Sequence, residues 1–121
     1  QNYLNLINKA DIILDSFDWS GLNTSLDAIC LDKPIITFPS DLMRGRHSYG
    51  ILKILKLEQL ICDSKKEYIN LAVKLSKNLA FRESVLKKIK ENKNLIFNNY
   101  KSISSLENFF LSLFEGNSLK N

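Results

Sequence analysis

The sequence predicts an α/β domain: a parallel sheet in three layers, with helices on both faces. Two observations predict it. Short apolar, β-branched runs alternate with segments of helical period, and that order implies right-handed crossovers and parallel strands. The chain has 121 residues, 45% apolar and 25% charged, which suits one small globular domain with an ordinary core.

The elements follow in order. "NYLNLINKA" supplies an opening helix, and "DIILD" (11–15) a short buried strand. "TSLDAICL" (24–31) is helical, with Leu26, Ile29 and Cys30 spaced for one buried face and Asn23 or Ser20 available as cap. "KPIITFP" (33–39) is a second strand, bounded by Pro34 and Pro39. "SYGILKILKL" (48–57) is a helix with Ile51, Leu52 and Leu55 on one side, and "QLIC" (59–62) a third strand. "SKKEYINLAVKLSKN" (64–78) opens on a Ser64–Glu67 capping box and repeats apolar residues at Ile69, Ala72 and Val73. "RESVLKKIKENKNLIF" (82–97) is a basic amphipathic helix. "SSLENFFLSLF" (104–114) closes the chain, with a Ser104–Glu107 capping box and an apolar face of Leu106, Phe109, Phe110 and Leu113. Three strands make a thin sheet, so the domain, expected over 1–115 with a frayed tail at 116–121, reads as part of something larger. The chain opens without methionine, in keeping with that expectation.

Charge and cysteine content exclude several classes. Residues 1–62 hold six basic and seven acidic side chains, a net −1; residues 63–121 hold eleven and six, a net +5. The excess lies around Lys87, Lys88 and Lys90, on a helix face without interleaved aromatics, so a solvated face is expected rather than a nucleic-acid or membrane contact. No apolar run approaches the roughly 18–20 residues of a membrane span, and the polar start is not a signal peptide. Cys30, Cys62 and the single His47 lack metal-ligand spacing, so no metal is expected. Buried free thiols in a reducing cytoplasm are the expectation for both cysteines.

Two loops lie at expected carboxyl ends of strands, where ligands of open α/β sheets bind. In "SFDWSGLNTS", Gly21 permits close approach of backbone to ligand. The N–H groups of Asn23, Thr24 and Ser25 open a helix and offer partial positive charge to a phosphate, with the two hydroxyls as further donors. Asp27, one turn on, can accept from ribose hydroxyls. The competing reading is an ordinary capped helix. The second loop, "PSDLMRGRHSYG", sets Arg44, Arg46 and His47 around Gly45, a basic loop suited to phosphate or carboxylate recognition. Tyr3 can stack on a base or fill the core; Trp19 can rim the cleft or pack. There is no catalytic triad motif, no G-x-x-x-x-G-K-[ST] and no G-x-G-x-x-G.

Together the strand ending in "LD", the glycine, "NTS", the acid, "PIITFP" and "MRGRH" resemble the carboxyl-terminal part of bacterial glycosyltransferases related to O-linked N-acetylglucosamine transferase. That family commonly joins tetratricopeptide repeats to two Rossmann-like domains, the GT-B architecture. The resemblance runs from about residue 3 to 97. It implies that Asn23, Thr24 and Ser25 bind the diphosphate of a UDP-sugar, Asp27 the ribose and Tyr3 the uracil. Arg46 matches a family arginine. Where better-known members carry a histidine and two threonines, this chain reads Leu22, Asn23, Thr24, so the histidine's hydrogen bond has no counterpart. The implied reaction is metal-free, inverting transfer of a sugar, such as N-acetylglucosamine, to a protein Ser or Thr hydroxyl. The catalytic groups and acceptor site would lie in a missing amino-terminal half, leaving this fragment inactive alone. The alternatives are another GT-B enzyme, an epimerase or glycan transferase, and a non-catalytic degenerate domain serving as an interaction module.

Overall fold

The computed structural model describes residues 2–118. Two short strands and seven helices are present among them: α1 (Asn2–Lys9), β1 (Ile13–Leu14), α2 (Asn23–Cys30), β2 (Ile35–Ile36), α3 (His47–Ile54), α4 (Lys65–Lys77), α5 (Leu79–Asn92), α6 (Asn94–Phe97) and α7 (Lys101–Ser118). The strands pair in parallel, Ile13 with Ile35 and Leu14 with Ile36, as the alternation predicts.

The third strand is reduced to one parallel bridge, Thr37 to Ile61. A 3₁₀ turn over Glu58–Leu60 takes up half of the expected run. The bridge is real in hydrogen bonds: Thr37 N–H to Leu60 O at 3.1 Å and Cys62 N–H to Thr37 O at 2.8 Å. β2 therefore lies centrally and is fully buried, while β1 is an edge with Leu14 57% exposed, not the buried strand expected.

The core sits where β2 meets the helices: Ala28 and Ile29 from α2, Ile51 and Leu52 from α3 with Leu55 beyond it, Leu75 from α4, and Val85 and Ile89 from α5. Three expectations about helix faces are corrected. On α2, Ala28 and Ile29 are buried but Cys30 is exposed, so Cys62 is the one buried thiol. Burial, with Glu67 and Asp63 nearby, pushes the Cys62 thiol up to about 11. On α4, Ile69 and Val73 are exposed; Tyr68 and Leu75, two turns apart, face the core instead.

The capping predictions divide. Ser64 Oγ accepts from Glu67 N–H at 3.1 Å, while Glu67 Oε2 accepts from Asp63 N–H at 2.8 Å, one residue before the position a capping box uses. Ser104 caps nothing: it lies inside α7, and its hydroxyl donates back to Tyr100 O at 3.3 Å. The predicted basic helix breaks at Lys93, whose ammonium pairs with Asp32 at 2.8 Å, while Asn92 Nδ2 donates to Leu55 O. α7 continues to Ser118, past the expected boundary at 115; residues 119–121 of the expected tail lie outside the described residues.

Candidate functional site

The site grows from the carboxyl end of β1. There the chain places Asp15, a residue that sequence reasoning treated only as the end of a strand. Its side chain is buried, and a buried carboxylate needs donors. It has three. Ser20 Oγ and Thr37 Oγ1 each donate to Oδ2 at 2.7 Å, and Gly21 N–H donates to Oδ1 at 2.9 Å. The Tyr68 hydroxyl donates to the Asp15 carbonyl at 2.8 Å. Burial, with Asp15 as the next cause, holds that phenol up at about 12, so Tyr68 stays a donor. Asp15 thus ties β1, β2 and α4 to the turn that precedes α2. The signal that could have found it is an acid closing an apolar strand, followed by small polar residues.

The turn is stitched to the basic loop. Ser20 N–H donates to Arg44 O at 2.8 Å, and the loop is closed on itself by Ser40 N–H to Gly45 O at 3.3 Å. Gly21 is needed for space rather than for its backbone angle, because its φ is not positive. A Cβ there would collide with Thr24 Oγ1 and lie 2.9 Å from Ser25 Oγ.

The start of α2 carries no side-chain cap. Leu22, not Asn23 or Ser20, occupies the N-cap and offers no acceptor. The Ser20 hydroxyl is committed to Asp15. The first backbone bond into the helix is Leu26 N–H to Leu22 O, so the N–H groups of Asn23, Thr24 and Ser25 precede it. Asn23 and Thr24 are exposed. Ser25 is buried, and its hydroxyl faces Ser48 Oγ at 2.8 Å, which leaves only its N–H to serve a ligand at the helix start. Asp27 is half-buried, and the exposed Tyr3 phenol from α1 lies close enough to feel it. Desolvation, then the nearby Asp27 carboxylate, raise the Tyr3 phenol above its ordinary value. Gly21, Asn23, Thr24, Ser25, Asp27 and Tyr3 are therefore brought together along one edge.

Arg44, Arg46 and His47 do not converge on one point. Arg46 donates to Ser40 O at 3.0 Å and stacks on Tyr49, 4.4 Å from the ring centroid. Arg44 is exposed and lies over Trp19 at 5.9 Å. His47 opens α3, with Nδ1 3.4 Å from Ser20 O. Trp19 is 69% exposed, so it rims the loops rather than packing in the core. A cavity of about 410 Å³ lined by Phe17, Asp18, Phe38, Pro39, Ser40, Asp41 and Lys65 sits beside the turn and includes none of the predicted site residues. Among the described residues no three His, Cys, Asp or Glu side chains gather as metal ligands would.

Known proteins resemble this arrangement over most of its length. The chain is 28% identical over 88 residues to UDP-N-acetylglucosamine–peptide N-acetylglucosaminyltransferase of Giardia intestinalis, which is 73% of this chain and 6% of that protein. It is 21% identical over 90 residues to the probable UDP-N-acetylglucosamine–peptide N-acetylglucosaminyltransferase SPINDLY of Petunia hybrida, 74% of this chain and 10% of the relative. Among solved structures, an O-GlcNAc transferase mutant of Thermobaculum terrenum superposes with a TM-score of 0.79 at 25% identity, covering 90% of this chain and 21% of that one. The chain thus spans a tenth or less of these curated relatives. The superposition bears out the fold expected, part of a Rossmann-like domain of the GT-B architecture. The profile of glycosyl transferase family 41 matches residues 5–105, and the chain belongs to that family.

Proposed function

We propose that this chain is the donor-binding wall of an inverting glycosyltransferase that moves N-acetylglucosamine from UDP to a Ser or Thr hydroxyl of a protein. The observation that carries the reading is the uncapped start of α2, set beside the Tyr3–Asp27 pair. Free N–H groups at a helix start bind a diphosphate, and the helix dipole favours its charge. The Thr24 hydroxyl adds a donor. Asp27 accepts from the ribose hydroxyls, and Tyr3 presents its ring to the base. As the sugar leaves, charge grows on the diphosphate, and the same N–H groups with nearby arginine offset it, so no metal is required. The names of the relatives supply the sugar and the peptide acceptor. The acceptor site and the catalytic groups belong to the other half of the GT-B cleft. No described helix is long and apolar enough to cross a membrane, and the two free cysteines suit a reducing cytoplasm.

Leu22 favours a second reading, a degenerate domain that no longer turns over. It is 48% exposed at the mouth of the turn and cannot hydrogen-bond a ligand. Incubating the full-length protein with UDP-N-acetylglucosamine and an acceptor mixture separates the readings. The expected product is UDP together with N-acetylhexosamine on protein Ser or Thr. A new UDP-sugar without transfer would indicate an epimerase. No turnover, together with partner capture that survives Asp27→Ala but fails when Lys87, Lys88 and Lys90 are replaced, would indicate the interaction module.

A further inference from the structure

Beneath the α2 start lies a group of hydroxyls that neither the donor contacts nor the core explains. The buried polar residues of the described chain are Asp15, Ser20, Ser25, Thr37 and Ser48, and they form one connected network. Ser48, from the first turn of α3, is fully buried at its centre. Its Oγ lies 2.8 Å from Ser25 Oγ, 3.0 Å from Ser20 Oγ and 3.2 Å from Gly21 O, and its N–H donates to Ser20 Oγ at 2.9 Å.

Counting protons gives this network a direction. Each hydroxyl has one proton to donate. That of Ser20 is contested by Asp15 Oδ2 at 2.7 Å and Ser48 Oγ at 3.0 Å. The carboxyl oxygen takes it, being the closer acceptor. The oxygen of Ser20 is then left to receive the Ser48 N–H. The Ser48 hydroxyl donates to Gly21 O, which has no other hydroxyl within reach. The Ser25 proton goes to Ser48 Oγ. Ser48 thus bridges the peptide before the helix and the third residue inside it. Those two points set where the N–H groups of Asn23, Thr24 and Ser25 aim.

We propose that Ser48 is a positioning residue for donor binding: its hydroxyl clamps Gly21 and Ser25 so that the helix start is held ready for the diphosphate. This rests on the donor-binding reading given above. Without the clamp the half-buried Gly21 carbonyl and the buried Ser25 hydroxyl each lose a partner, and the turn relaxes to find others. The test compares two variants of the full-length protein. Ser48→Ala removes the hydroxyl. Ile51→Val, one turn along the same helix and buried in the core, removes one methyl group and leaves the network whole. UDP affinity is measured by calorimetry, and amide exchange of 20–26 is measured without ligand. Ser48→Ala is expected to weaken UDP about tenfold and to speed exchange in that segment, whereas Ile51→Val leaves both within about twofold. Equal UDP affinity for Ser48→Ala and wild type, or unchanged exchange, would overturn the proposal even if stability falls, since Ser48 would then be a packing residue only. Failure of the wild-type protein to bind UDP would instead remove the donor reading itself, and the two failures are read from different samples.

Discussion

Asp15→Ala is expected to destabilise the protein by about 3–5 kcal/mol, the largest single effect predicted here. The substitution leaves three donors without their acceptor: the Ser20 and Thr37 hydroxyls and the Gly21 N–H. Thr37 is fully buried and Ser20 nearly so, so water does not readily replace the carboxylate. An unsatisfied buried group costs roughly 1–3 kcal/mol, and the three share one site, so their sum is less than additive. Against a typical total stability of roughly 5–15 kcal/mol this is a large share. Asp15→Asn keeps the shape and one carbonyl acceptor for Gly21 N–H. Its amide then meets two hydroxyls that must turn to accept, and a loss of about 1–2 kcal/mol is expected. Urea unfolding, read at constant m-value, measures both. A shift below about 0.5 kcal/mol for Asp15→Ala would mean that the network does not hold the turn.

The second large effect belongs to the ligand rather than the fold. Asp27→Ala and Thr24→Ala, made in the full-length protein, are expected to raise the donor KM or abolish activity. A charge-assisted contact is worth about 1.5–3 kcal/mol, roughly ten- to a hundredfold in KM. Thr24 is exposed and Asp27 half-buried, so neither change opens a cavity, and Tm should move little. Steady-state kinetics over a range of UDP-sugar concentrations decides the matter. Wild-type kinetics for both variants would remove them from the donor site.

The parts of the fold legible in the sequence are those set by local pattern. Short β-branched runs, helical runs, Pro34 beside β2 and Ser64 before α4 all act within a few residues, and β1, β2, α2, α3 and α4 lie within a few residues of where these patterns place them. The third strand was misjudged because four apolar-flanked residues leave room for either a strand or a 3₁₀ turn, and Leu57 and Leu60 reach the core through the turn. On α4 both candidate faces carry apolar residues, and its packing against the sheet and α5 selects Tyr68 and Leu75 over Ile69 and Val73.

In the site, the small polar residues opening α2 were legible because helix starts expose N–H groups whatever the tertiary context. Asp15 was not. Its partners Thr37 and Tyr68 lie 22 and 53 residues away, and the local signal, an acid closing an apolar strand before small polar residues, does not by itself mark Asp15 as buried among the seven acids of the first 62 residues. The sequence assigns Ser25 to the ligand through its helix-start N–H and, as a further donor, its hydroxyl; the hydroxyl is turned to Ser48 instead. Its spacing of three and four from Ala28 and Ile29 puts it on the buried stripe instead, a signal present in the sequence and passed over. The arginines were grouped by their nearness in sequence; Tyr49 and Trp19, which draw them apart, became visible only in three dimensions.

The most direct test of a donor wall on α2 is a hydrogen–deuterium exchange footprint of the full-length protein with UDP, UDP-N-acetylglucosamine and ADP. The account predicts slowed exchange in segments 20–27 and 44–48, with UDP giving stronger protection than ADP because the base and ribose contacts of Tyr3 and Asp27 come on top of the shared diphosphate. Saturating UDP, with binding verified by calorimetry, that leaves both segments unchanged and protects another part of the protein would contradict it.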